Sequence, residues 1–252
     1  MKRQAEGGWS SAGRNAKFLR EDAWGDASWQ AEAWDWTAAK NGYGGSSPSS
    51  CSSWISEQDK ADIIQWQECS KVGSPLPGTS IVPVKTPFEG SLQEKAVEAG
   101  LISEEDAFTK ADLLEICEAN GHPIGAVIDL VNTQKYYKGF TFEEDGIEYH
   151  KVPIPGRTVP AITDVKKIFG IIDEFAKRCP GYYVAIHCTH GVNRTGFFCA
   201  AYLLTRTAEG RKMSSVQAIQ AFQEARGTPM DKVYLMDALR DIVASRPKGA
   251  GK

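Results

Sequence analysis

The sequence predicts an α/β domain with a largely parallel central sheet. Three observations carry that expectation. Residues 125–132 (GAVIDLVN) and 181–186 (GYYVAI) are short runs of β-branched, aromatic and other apolar residues, the pattern of strands buried on both faces. Residues 162–179 place Val165, Ile168, Phe169, Ile172 and Phe175 at helical spacing. Strand-like runs also alternate with helix-like ones along the chain, as crossovers between parallel strands require.

In order, residues 79–86 (TSIVPVKT) read as a strand. Residues 109–120 read as a helix, with Thr109 at the N-cap and Asp112 three residues on. The buried strand at 125–132 follows, then 147–154 (IEYHKVPI), which alternates as a strand does. The striped helix at 162–179 leads to the strand at 181–186. Residues 195–206 (TGFFCAAYLLTR) are apolar on most faces and read as a buried helix. Residues 214–226 and 232–243 complete the chain as helices.

The chain has 252 residues, room for one catalytic domain plus extra sequence. We expect a tail at 1–58, a catalytic domain at 59–246 and a short tail at 247–252. Residues 1–58 are rich in Gly, Ser and Ala, nearly devoid of Val, Ile and Leu, and expected to be disordered. Within them, 41–53 (NGYGGSSPSSCSS) has the composition of a flexible linker. Yet Trp9, Trp24, Trp29, Trp34 and Trp36 lie there, a pattern suited to docking single tryptophans on a protein partner, with packing on the catalytic domain or no role as the alternatives. No run of 18 apolar residues suggests a membrane span, and the first residues lack the apolar region of a secretory signal. Cys51, Cys69, Cys117, Cys179, Cys188 and Cys199 show no zinc-like spacing, so no metal is expected and a reducing, intracellular setting fits. Net charge is −3, with 19 acidic against 11 basic residues in 1–118 and 13 against 18 in 119–252. The second half is therefore basic, as a polyanionic substrate favours; an acidic solvated surface in the first half also accounts for the split.

The chemistry concentrates in 185–198 (AIHCTHGVNRTGFF). Cys188 stands at the end of a predicted strand and Arg194 at the start of a predicted helix. Backbone N–H groups at that helix start, with the helix dipole, form a nest for a phosphate-like anion, and Gly191 lets the backbone turn. The same field lowers a thiol pKa, so Cys188 is expected as a thiolate. The planar fork of Arg194 suits two oxygens of a phosphoryl group. A phosphate ester needs a proton for its leaving group, usually from an Asp on a preceding loop. Here 153–163 (PIPGRTVPAIT) contains no Asp or Glu. Asp164 follows in the first turn of a helix, and Asp129 ends a buried strand, where a structural role is expected. A phosphoanhydride needs no such acid, because its leaving group is already a stable anion.

HCTHGVNRTGFF, with LPGTSIVPVKTPF, GAVIDLVNTQKYY, VPIPGRTVP and FQEARG in the same order, resembles the RNA 5′-triphosphatases of the cysteine-phosphatase superfamily over about residues 60–245. That group includes the baculovirus phosphatase, the animal RNA-complex-interacting dual-specificity phosphatase and the triphosphatase domain of metazoan mRNA capping enzymes. The resemblance implies a dual-specificity-like cysteine-phosphatase fold. It implies Cys188 as nucleophile, Arg194 as phosphate clamp and Thr195 as a hydrogen bond to the sulfur. The backbone of Thr189, His190, Gly191, Val192, Asn193 and Arg194 would cradle phosphoryl oxygens, with His187 beneath the thiolate. His190 and Asn193 would shape the loop or touch the second phosphate. Lys85, Arg157 and Arg226 are the basic candidates for the α and β phosphates, with a surface charge or a structural ion pair as the alternative at each. The implied substrate is 5′-triphosphate RNA, with no cofactor, no membrane, a monomer, and an intracellular location more nuclear than cytoplasmic. A protein dual-specificity phosphatase and a phosphate-binding module without turnover remain open alternatives.

Overall fold

The computed structural model describes residues 55–209 and 212–245. Helix α1 (Glu57–Glu68) is followed by β1 (Ile81–Pro83), α2 (Ser91–Glu98), α3 (Lys110–Ala119) and β2 (Ile124–Asp129). A 3₁₀ segment (Gly139–Asp145) precedes β3 (Glu148–Lys151), α4 (Ile162–Arg178), β4 (Tyr183–His187), α5 (Asn193–Arg206), α6 (Ser215–Arg226) and α7 (Val233–Ala244). The four strands form one wholly parallel sheet in the order β1-β4-β2-β3.

The two-residue period of a strand divides the core between the faces of this sheet. Ile81, Ala126, Ile128, Val184 and Ile186 pack with α4 to α7, while Val82, Val127 and Ala185 pack with α1 to α3. A register irregularity between Ile124 and Ala126 turns Ile124 to the second face. Gly125 lies at that irregularity because a Cβ there would stand 2.6 Å from the Phe175 ring. Helix α5 is buried from Thr195 to Leu204, as its uniformly apolar sequence implies, and packs on α6 and α7.

Thr109 caps α3 with the capping box expected, its hydroxyl taking the Asp112 N–H while Asp112 takes the Thr109 N–H. The stripe of α4 is buried at each of its five positions. Helix α1 has no counterpart in the expected elements. Only Ile63 and Trp66 of its twelve residues are buried, too sparse a pattern for periodicity to reveal. Trp66 is wholly buried, and a side chain of that size contributes roughly 4–6 kcal/mol as an upper bound. Ser56 caps α1 and Ile55 is buried, so the ordered domain includes residues before the start expected at 59. The remainder of the expected N-terminal tail and the expected tail at 247–252 lie outside the described residues.

Candidate active site

The sheet order places β4 centrally and puts the carboxyl ends of β2 and β4 side by side, with Asp129 opposite His187. Residues 188–192 cross from β4 to α5 at that end. Gly191 has φ +68°, and a Cβ there would lie 2.1 Å from the Val84 carbonyl oxygen, so only glycine allows the loop to press against the end of β1.

The loop turns its carbonyls outward, and each is satisfied. Thr86 N–H donates to the Thr189 carbonyl at 3.2 Å. Arg226 donates through Nη2 to the His190 carbonyl at 3.0 Å and through Nε to the Gly191 carbonyl at 2.9 Å. With those carbonyls engaged outside, the Val192 N–H turns inward to the Cys188 thiol, the orientation an anion nest requires.

Cys188 is 3 % exposed and its backbone N–H donates to Thr195 Oγ1 at 2.9 Å. Burial alone would raise its thiol pKa. The Arg194 charge, the Thr195 hydroxyl and the N–H groups of Thr195 and Val192 outweigh burial and hold it below the ordinary thiol value. Arg194 reaches across the loop: Nη1 donates to the carbonyls of Ile154 (2.9 Å) and Leu130 (3.3 Å), and Nη2 to Thr189 Oγ1 (3.4 Å). One guanidinium thus ties the nucleophile loop to the segments that leave β2 and β3.

Beneath the loop lies a buried polar network. His187 is fully buried, with Nε2 2.8 Å from the Tyr137 hydroxyl and Nδ1 3.4 Å from the Cys188 carbonyl. With the Tyr137 proton given to Asp129, a neutral ring protonated on Nε2 donates to the Tyr137 oxygen, and burial pushes its pKa down. Asp129 accepts from the Val131 N–H (2.8 Å), Tyr149 (2.7 Å), Lys151 (2.8 Å) and Tyr137 (3.2 Å). Burial opposes its ionisation, but His187, Lys151 and Tyr149 more than offset that and keep it below the usual carboxylate value. Among the described residues no buried side-chain nitrogen or oxygen lacks a partner.

The other expected site residues divide cleanly. His190 donates from Nε2 to the Asp62 carbonyl at 3.0 Å, and Asn193 Oδ1 accepts the N–H groups of Asp231 and Lys232, both at 3.1 Å. Both side chains therefore shape the loop, anchoring it to α1 and to the segment before α7. Val192 is buried at the position before α5.

Arg226 is a correction to the expected phosphate contacts. It is 1 % exposed, and besides the two loop carbonyls it donates to the Ser70 carbonyl at 2.7 Å and to the Ser70 hydroxyl. It braces the loop from behind. Lys85 is a second correction. It is 2 % exposed, donates to the Trp66 carbonyl at 3.1 Å and lies 3.6 Å from the centre of the Trp66 ring. Burial lowers its pKa to about 8. Arg157 is exposed on the 153–163 segment and has φ +63°, a left-handed conformation unusual for a side-chain-bearing residue. Asp164 sits in the first turn of α4, as expected.

Sequence reasoning missed Trp66, Ser70, Tyr136, Tyr137, Tyr149 and Lys151. The pair Tyr136-Tyr137, on the segment that follows a buried strand, is the one available signal: two adjacent large aromatics have to pack on something.

A thiol whose pKa is lowered, a guanidinium across the same loop and a hydrogen-bonded floor are the site of a cysteine-dependent phosphatase. The chain belongs to the dual-specificity phosphatase family: its residues 108–244 match the family described as "Dual specificity phosphatase, catalytic domain". Among similar proteins is a putative tyrosine-protein phosphatase 1 of Orgyia pseudotsugata multicapsid polyhedrosis virus, 36 % identical over 73 % of this chain and 78 % of the viral one. An RNA/RNP complex-1-interacting phosphatase homolog of Caenorhabditis elegans is 32 % identical over 75 % of this chain and 78 % of its own. An mRNA-capping enzyme of the same organism is 32 % identical over 71 % of this chain and 27 % of its own.

Proposed function

We propose that this phosphatase is an RNA 5′-triphosphatase acting through a phosphocysteine intermediate, without a metal ion. One observation carries the reading: the nucleophile and clamp are complete, while the segment that would supply a general acid has none. Residues 153–163 contain no carboxylate, and the nearest buried one, Asp129, is engaged by four donors. Such a site suits a leaving group that departs as an anion unaided. The names of two relatives support an RNA substrate, an RNA/RNP complex-interacting phosphatase homolog and an mRNA-capping enzyme.

In the proposed reaction the Cys188 thiolate attacks the terminal phosphorus. An S–P bond forms as the P–O anhydride bond breaks, and the RNA leaves with a diphosphate end. Arg194 and the N–H groups of the loop hold the equatorial oxygens. The Thr195 hydroxyl, beside the sulfur, stabilises the thiolate when water attacks phosphorus and breaks the S–P bond. A second round on the diphosphate leaves a monophosphate end. We propose an intracellular location, nuclear rather than cytoplasmic.

Triphosphate RNA labelled at the γ or β position and a phosphotyrosine peptide, compared side by side in EDTA, test the reading. We expect RNA turnover to exceed peptide turnover by orders of magnitude. Faster turnover of the peptide would overturn it in favour of a protein phosphatase, the reading that the viral relative's name favours. For the tryptophan-bearing segment we propose recruitment of a protein partner. A chain beginning at Ser53, upstream of buried Ile55 and the Ser56 cap, keeps full activity on short RNA if that is so. Loss of activity would place the segment in the catalytic unit.

A further inference from the structure

With Lys85 and Arg226 sealed behind the loop, neither cation can meet the phosphates beyond the one that is cleaved. Lys135 is placed to do so. It leaves the carboxyl end of β2 on the segment that runs beside the loop, and it ion-pairs with Asp59 of α1. The two side chains are 31 % and 24 % exposed, so both remain open to a ligand. Asp59 lies one helical turn from Asp62, whose carbonyl holds loop residue His190. That places Asp59 roughly 5 Å along α1 from the point where the His190 ring meets the helix, on the same side of the loop. Between pair and loop stands Tyr136, 3 % exposed, whose ring centre lies 5.0 Å from the Lys135 ammonium. Its phenol is acted on by both Lys135 and the Thr189 hydroxyl of the loop.

We propose that Lys135 is the subsite for the second phosphate of an anhydride chain, and that Asp59 occupies its ammonium until that phosphate displaces it. The assignment rests on the triphosphatase reading above and names the residue that reads the chain's length. A partly exposed ion pair is weak, so exchange of one anion for another is easy. A phosphate offers Lys135 more charge and more acceptor oxygens than a carboxylate does. Asp59 also stands near the incoming polyanion and opposes it. The two residues of one ion pair therefore have opposite effects on binding, which no purely structural role for the pair produces.

The test is binding, by fluorescence anisotropy in the Cys188→Ser background, of one short RNA carrying either a 5′-triphosphate or a 5′-monophosphate. Lys135→Met keeps the aliphatic stem over Tyr136 and is expected to weaken the triphosphate end about tenfold more than the monophosphate end. Asp59→Asn keeps the contact to Ser56, removes the competing charge and is expected to tighten the triphosphate end selectively. Weakening by Asp59→Asn, or equal effects of Lys135→Met on both ends, overturns the subsite. If the parent protein itself fails to prefer the triphosphate end, the triphosphatase reading falls instead. Unfolding midpoints of the variants separate loss of fold from loss of binding.

Discussion

The floor under the nucleophile and the 153–163 segment beside it are built on opposite principles. The floor is sealed: His187, Asp129 and Tyr137 are buried, and their polar atoms are matched by hydrogen bonds. The segment is open: residues 155–159 are exposed, Arg157 holds a left-handed backbone, and no carboxylate is present. Its main tie to the chemistry is a backbone atom, the Ile154 carbonyl that receives Arg194. The difference teaches where this enzyme's transition-state stabilisation resides. On the proposed reading it lies in an anion site that lowers the Cys188 pKa and would receive a phosphoryl group, and not in proton delivery from a loop.

The largest expected effect comes from removing the nucleophile. Cys188→Ser should reduce turnover by on the order of 10⁴-fold or more, because this environment does not ionise a hydroxyl near neutral pH. Steady-state release of labelled phosphate measures it, and residual activity within tenfold of the parent contradicts covalent catalysis. Next is Arg194→Lys. An ammonium cannot hold two phosphoryl oxygens and also reach the Ile154 carbonyl, so kcat should fall roughly a hundredfold. A rise in KM with kcat unchanged would restrict Arg194 to binding.

The floor's integrity is tested by Asp129→Ala, which strands Lys151, Tyr149 and Tyr137 without their acceptor. The expected loss is about 3–5 kcal/mol of stability by denaturant unfolding. The pH dependence of the parent protein reports on the same region. His187 is neutral in the fold and its folded pKa is lowered, so the unfolded chain takes the proton first. Stability should therefore be fully present above about pH 6.5, the ordinary histidine value, and decline as pH falls below it. Asp129, also lowered, should add a second decline as pH falls below its ordinary value of about 3.9. A flat profile from pH 8 to 5 would mean that His187 has the same pKa in the folded and unfolded chain.

On the open side, effects should be small. Asp164→Ala is expected to change triphosphate turnover less than about twofold, the scale of a helix-dipole contact without a role in the chemistry. A loss beyond tenfold would make Asp164 an acid and erase the contrast with the floor. Arg157→Gly relieves the left-handed backbone and should raise stability by about 1 kcal/mol. If KM for triphosphate RNA rises with it, the exposed guanidinium touches substrate.

The amino-acid sequence by itself determined the parallel α/β scaffold, the position of the nucleophile loop, the αN-cap at Thr109 and the buried stripe of α4. Each is a local matter of period, turn chemistry or capping, encoded within a few neighbouring residues. It also determined that 153–163 has no acid. What it could not settle was which basic residues face the substrate. Lys85, Arg157 and Arg226 look alike as letters, yet the fold seals two behind the loop and leaves one exposed on a rim. Arg226 meets Ser70 across 156 positions, and His190 meets Asp62 across 128. Only the tertiary structure decides such pairings. The need arises there: turning the loop's N–H groups toward an anion turns its carbonyls outward, and those carbonyls must find donors from wherever the chain happens to return. Helix α1 escaped notice for a related reason. It is held by one buried tryptophan, one isoleucine and a few contacts to distant backbone, which carry no periodic signature along the chain.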